Sequence, residues 1–139
     1  MIMNTGYQVG GSHYKELTLQ PITYIQANGL DYCQGNVVKY TTRHRSKNGR
    51  EDLEKAAQYC GFLMDYYSAH RVQLALRWVL AHPWLMSFPI PSRKYCNVNR
   101  IEGLARKAIR LITTWRTLDD LREVKQSLLA YADLEYPTP

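Results

Sequence analysis

The chain has 139 residues, 45% hydrophobic and 22% charged. These are the proportions of one globular domain with a modest core, not of a disordered chain. Its formal net charge is +6, and a basic surface attracts phosphates, whether on nucleotides, nucleic acid or an acidic partner. Cys33, Cys60 and Cys96 are odd in number and lack metal-ligand spacing, and the histidines at 13, 44, 70 and 82 form no close pair, which excludes a disulfide scaffold and a zinc module.

No apolar run approaches the ~20 residues of a membrane span. The longest stretch, 72–85, is broken by Gln73, Arg77, His82 and Pro83. The opening MIMNTGYQVGG has no basic region followed by an apolar one, so a cytoplasmic protein without a secretory signal is expected.

Residues 1–19 read as a loop or arm, broken by Gly6, Gly10, Gly11 and Ser12 and followed by His13 and Tyr14. Gln20-Pro21 starts a first helix, proline at the first position costing no hydrogen bond. It turns Ile22 and Ile25 inward and stops at Asn28-Gly29. A second helix runs from Asp31 to Arg45, with Cys33, Val37, Tyr40 and His44 on one face. After a turn at 46–49, Asn48 and Glu51 form a capping-box pattern for a third helix. Leu53, Ala56, Ala57, Cys60, Leu63, Met64 and Tyr67 make its apolar stripe, with Glu51, Asp52, Glu54 and Lys55 on the polar side.

A fourth helix, Val72 to His82, is apolar around most of its circumference. The stretch 83–99, with Pro83, Pro89 and Pro91, reads as an ordered loop. A fifth helix covers about 99–115, with Ile101, Leu104, Ala108, Leu111 and Trp115 inward. Thr117 caps a sixth, Leu118 to Leu134, with Leu121, Val124, Leu128 and Tyr131 inward. No segment alternates with period two. The expected class is all-α, a small helical bundle of about six helices built on a helical hairpin. Residues 1–70 form the part that carries the candidate site, and residues 71–139 form a helical extension packed on it within one structural domain.

The cations fall in two segments. Lys39, Arg43, Arg45, Lys47 and Arg50 stand between positions 36 and 50 without an acid; Arg93, Lys94, Arg100, Arg106, Lys107, Arg110 and Arg116 stand between 93 and 116 with only Glu102. In the first segment Asn36, Lys39 and Arg43 share a helical stripe with Tyr40 alongside. A hairpin brings them toward Asp52 and Lys55, with Lys47 in the turn. Cations and turn N–H groups suit a phosphate, and an amide and a ring suit a base or sugar. The alternative is a solvated basic helix face with a salt bridge from its cations to Asp52. The second segment offers a surface for nucleic acid or an acidic protein, against the same alternative.

The residues His13-Tyr14, Pro21-Ile22, Gly35-Asn36, Lys39-Tyr40, Arg43, Lys47-Asn48-Gly49, Asp52-Leu53, Lys55-Ala56 and Tyr59 follow the pattern HY, PI, GNxxKYxxRxxxKNGxxDLxKAxxY. Over about residues 12–69 this resembles the SaV-like family of small phage proteins, which includes a coliphage nucleotide kinase. The resemblance implies a phage-encoded nucleotide-binding protein in the host cell cytoplasm, kinase-like toward (deoxy)nucleoside monophosphates. The chain, like that kinase, has no GxxxxGK[ST] loop. On this reading Lys39, Arg43, Lys47 and Lys55 hold phosphates, and Asp52 activates an acceptor or positions a metal. His13, Tyr14, Asn36, Tyr40, Lys47 and Lys55 bind the ligand, which is ATP or a deoxynucleoside monophosphate. No residue set points to a protein-held metal, and nothing in the sequence speaks for or against magnesium.

The main alternative is a non-catalytic counter-defence protein that sequesters a nucleotide signal or blocks a host protein complex. A second is nucleic-acid or protein binding through segment 93–116. The aromatic content, with 11 tyrosines and three tryptophans, leads us to expect a homo-oligomer. The stretch LALRWVLAHPWLMSFPIPSRKYCNVNRIEGL is similar to the closing segment of aldo-keto reductases, but their barrel needs typically ~250 residues, so we set that likeness aside.

Overall fold

The computed structural model describes residues 17–80 and 89–139, and among them seven α-helices and no strand occur. The helices are α1 (Pro21–Ala27), α2 (Tyr32–Arg43), α3 (Arg50–Ala69), α4 (Arg71–Leu80), α5 (Ser92–Val98), α6 (Gly103–Thr114) and α7 (Leu118–Glu135). Helix α3 is the central element. Its apolar stripe packs against α2 on one side and α7 on the other, while α6 closes the bundle against α7 and α2. Leu53, Ala56, Ala57, Cys60 and Leu63 of that stripe are buried, as the periodicity requires. The core is one cluster to which α1–α3 and α5–α7 all contribute.

Local chemistry sets the helix ends. Asp31 accepts from the Gln34 N–H (2.7 Å) and the Gln34 side chain accepts from the Asp31 N–H (3.1 Å), a capping box that starts α2. Helix α3 does not start on the expected Asn48 cap. Its N-cap is Gly49, at φ 57°, and no side chain caps it. A Cβ there would sit 3.2 Å from the Tyr136 ring, so both backbone conformation and space demand glycine. Thr117 caps α7 as expected, accepting from the Asp120 N–H at 3.1 Å. Thr117→Ala should cost about 1 kcal/mol, read as a drop of a few degrees in melting temperature, and Thr117→Ser should retain most of it.

Three elements differ from the sequence expectation. In α1 Ile25 packs half-buried against the core as expected, but it is Tyr24 that is fully buried, and Ile22 is 46% exposed. The Tyr24 ring stacks on Tyr95 at 4.4 Å and its hydroxyl meets Thr113 Oγ1 at 2.6 Å. Position 24 is therefore filled by an aromatic with a satisfied polar tip. The expected loop 83–99 contains α5, because Pro91 supplies the extended N-cap from which a helix can begin. Asn99 then ties the chain before α1, its Nδ2 donating to the Leu19 carbonyl (2.7 Å) and its Oδ1 accepting from the Leu19 N–H (3.2 Å). The fifth expected helix starts only at Gly103, since Arg100 and Gly103 both have positive φ. Ile101, Ala108 and Trp115 are buried as expected, Leu104 and Leu111 pack half-buried against the core, and Ala105, Ile109 and Ile112 are buried besides.

Helix α4 follows α3 after a break at His70. Arg77 docks it, its guanidinium lying 3.8 Å from the Trp115 ring centroid and donating to the Trp115 carbonyl at 3.1 Å. It leaves Val72 and Leu76 exposed, so its outer apolar face is not spent in the core. Among the described residues, no helix is long and apolar enough to cross a membrane.

Candidate functional site

The α2–α3 hairpin brings the candidate residues to one end of the bundle. The connection is a 3-10 turn, His44–Ser46, followed by Lys47, Asn48 and Gly49. Arg43, at the end of α2, reaches across to the first turn of α3. Its Nε and Nη2 donate to the two Asp52 carboxylate oxygens at 3.1 and 3.0 Å, a bidentate pair. The Asn48 N–H donates to Asp52 Oδ2 at 3.3 Å. The Asp52 side chain is 0% exposed and that of Arg43 is 11% exposed. The salt bridge to Asp52 that the alternative reading offered is formed, but it is buried: Asp52 does not lie on a solvated polar side of α3, and Arg43 is not a solvated arginine. Asp52 is the buried end of an ion pair that closes the hairpin, and its carboxylate faces no open site.

Tyr40 is the hub of the surface that remains. Three cations lie around its ring: Arg43 at 4.6 Å, Lys39 at 5.1 Å and Lys55 at 5.8 Å from the centroid. Cations gather there because the ring face carries negative quadrupole density. Lys55 is also held by Glu51 at 2.9 Å, a pair that raises the lysine pKa.

Tyr40 stacks on Tyr59 at 5.9 Å, and Tyr59 meets Tyr32 at 5.7 Å and Phe62 at 5.6 Å, both edge to face. The Tyr32 hydroxyl beside it, with burial, pushes the Tyr59 phenol up to about 12. Tyr32 and Phe62 are 75% and 49% exposed.

Asn36 is buried, and its Nδ2 donates to the Tyr32 carbonyl at 2.8 Å. One N–H of its amide is therefore held within α2. Lys47 is exposed in the turn. His13 and Tyr14 lie outside the described residues. The structure thus joins Lys39, Tyr40, Arg43, Asp52 and Lys55, and adds Tyr32, Tyr59 and Phe62, to which sequence analysis gave no role. Their signal was present: Tyr32, Asn36 and Tyr40 follow at i, i+4, i+8, and Lys55, Tyr59 and Phe62 at i, i+4, i+7.

Among the described residues no group of His, Cys, Asp and Glu could hold a metal ion. In the second basic segment, Lys107 pairs with Glu123 at 2.6 Å and Arg106 donates to Asn97 Oδ1 at 2.6 Å. Arg93, Lys94, Arg100 and Arg110 are exposed there.

No curated protein and no solved structure matches the chain. Residues 9–61 match a family model described as a protein of unknown function (DUF3310). That segment spans α1, α2 and the first half of α3, and so contains the Arg43–Asp52 pair and the cations around Tyr40. The part of the chain that builds the site is therefore similar to a family of uncharacterised small proteins.

Proposed function

We propose that the α2–α3 hairpin binds a nucleotide, or another phosphate ester that carries a base, and that it does so without phosphoryl transfer. This keeps the ligand that the resemblance to SaV-like phage proteins implies, in a protein acting in the host cytoplasm. The observation that carries it is the Tyr40 ring bracketed by Lys39, Arg43 and Lys55 and continued by Tyr59, Tyr32 and Phe62. Lys39 and Lys55 supply charge for the phosphate, and the exposed rings supply a flat apolar surface for the base. Binding is favoured over kinase chemistry by Asp52. A phosphotransferase needs a group that orients the acceptor, and this carboxylate is fully enclosed and spent on Arg43.

Calorimetric titration with a deoxynucleoside monophosphate and with ATP tests the reading. Saturable binding is expected, weakened about tenfold or more by Lys39→Ala and by Lys55→Ala, the usual worth of a charged hydrogen bond. Arg110→Ala, on the exposed part of α6, should leave it unchanged. Chromatography of the monophosphate incubated with ATP and magnesium should show no diphosphate. Absence of binding overturns the proposal. Diphosphate formation that Lys39→Ala abolishes would establish a kinase instead.

A further inference from the structure

We infer that the hairpin surface takes a single-stranded oligonucleotide rather than a lone nucleotide, an inference that rests on the nucleotide-binding reading above. Tyr32 and Phe62 both approach Tyr59 edge to face, with interplanar angles of 75° and 88°. Neither ring is spent on parallel stacking against Tyr59, and both are largely exposed, at 75% and 49%. A mononucleotide has one base and occupies one such ring. Two exposed rings that both contact a common tyrosine match two bases of one strand.

The charge is placed to suit the same ligand. The cations gather at Tyr40, one ring beyond Tyr59, which stacks parallel to it at 17°. Aromatic surface thus lies at one end of the patch and Lys39 and Lys55 at the other. A strand whose bases stack on Tyr32 and Phe62 can bring backbone phosphates to the lysines. Tyr59, protonated up to about 12, puts no negative charge between them. The excess of +6 over the whole chain draws a polyanion more strongly than a monoanion. In a duplex both faces of each base are already stacked, so single strands are the form this surface accepts.

Fluorescence anisotropy with a labelled oligothymidylate of about eight nucleotides, within the usual footprint of such surfaces, tests the inference. Unlabelled dTMP and the matching duplex serve as competitors. The oligonucleotide should bind about a hundredfold more tightly than dTMP, and the duplex about tenfold more weakly than the single strand. Tyr32→Ala and Phe62→Ala should each weaken the oligonucleotide about tenfold, since each base–aromatic stack is worth about that factor.

Both side chains are exposed, so the variants should melt within a few degrees of the parent chain. Neutralising two phosphates gives a slope of log affinity against log salt of about −1.4, which Lys39→Ala should roughly halve. If dTMP binds and the oligonucleotide binds no more tightly, the inference fails while the nucleotide site stands. Failure of both ligands to bind removes both. Equal affinity for duplex and single strand, or binding indifferent to Tyr32→Ala and Phe62→Ala, overturns the stacking argument.

Discussion

Arg43→Ala should be among the most destabilising single substitutions in the protein, lowering stability by about 3–5 kcal/mol, as removal of one partner of a buried ion pair does. For a chain of this size the melting temperature should fall by about 10–20 °C. The cause is not the lost attraction alone. Asp52 is 0% exposed, so without the guanidinium its buried carboxylate keeps the Asn48 N–H at 3.3 Å but loses its bidentate partner. Asp52→Asn should be costly for the complementary reason, because it leaves a nearly buried guanidinium facing a neutral amide. The double variant Arg43→Met/Asp52→Leu should be less damaged than the sum of single replacements, since removing both charges removes the desolvation they require. Thermal melts of the single and double variants in a double-mutant cycle measure that coupling. A melting temperature unchanged by Arg43→Ala would show that the pair is not closed in solution.

This result bears on how binding experiments at the site are read. Loss of nucleotide affinity in Arg43→Ala would report the shape of the hairpin rather than a direct phosphate contact. Lys39 and Lys55 carry no such ambiguity. Lys55 pairs across one turn of α3 with an exposed Glu51, and the two lysines rest against Tyr40 rather than inside the core. Arg43 is a positioning residue, holding α2 to the first turn of α3 and keeping Tyr40 beside Lys55.

What the sequence made legible follows from which forces are local. The stripe of α3 and the inward face of α7 were readable because burial there repeats with the helical period. The Thr117 cap was readable because its partner is three residues away. The capping box of α2 was equally local, Asp31 with Gln34, and could have been read from the same rule. Asp52 was misplaced for a physical reason. An acid in the first turn of a helix is ordinarily a solvated complement to the dipole, and only Arg43 folding back across the turn makes a buried position tolerable. Helix α5 was hidden because Pro89 and Pro91 read as breakers, although proline just before a helix also starts one. The aromatic surface escaped because Tyr32, Tyr59 and Phe62 belong to two different helices, and only the hairpin's geometry sets them side by side. His44 could be placed on an inward face, but its partner stands 92 residues away, beyond any local signal.

That partner makes stability depend on pH. His44 is 4% exposed, and its Nδ1 lies 2.8 Å from the Tyr136 hydroxyl. Burial, with Arg45 beside it, lowers its pKa from 6.5 to about 4, against smaller opposing pulls from Glu135 and Asp52. Tyr131 of α7 and Tyr136, at its C-cap, face the imidazole edge to face at 5.3 and 5.7 Å. In the unfolded chain the imidazole takes up its proton near 6.5; in the folded chain it resists until about 4. The unfolded state therefore binds more protons through that interval, and stability falls as pH drops from 6.5 toward 4. The full loss is about 3 kcal/mol, with no further contribution from this group at lower pH. Melting temperatures between pH 7.5 and 5, above the ordinary carboxylate range, should show the descent in the parent chain. His44→Asn keeps a polar atom in reach of the Tyr136 hydroxyl and does not titrate, so its curve should be flatter over the same range. An identical slope in the variant would place the proton uptake elsewhere. It would also remove the conclusion that the end of α7 is clasped to the hairpin turn by a neutral imidazole.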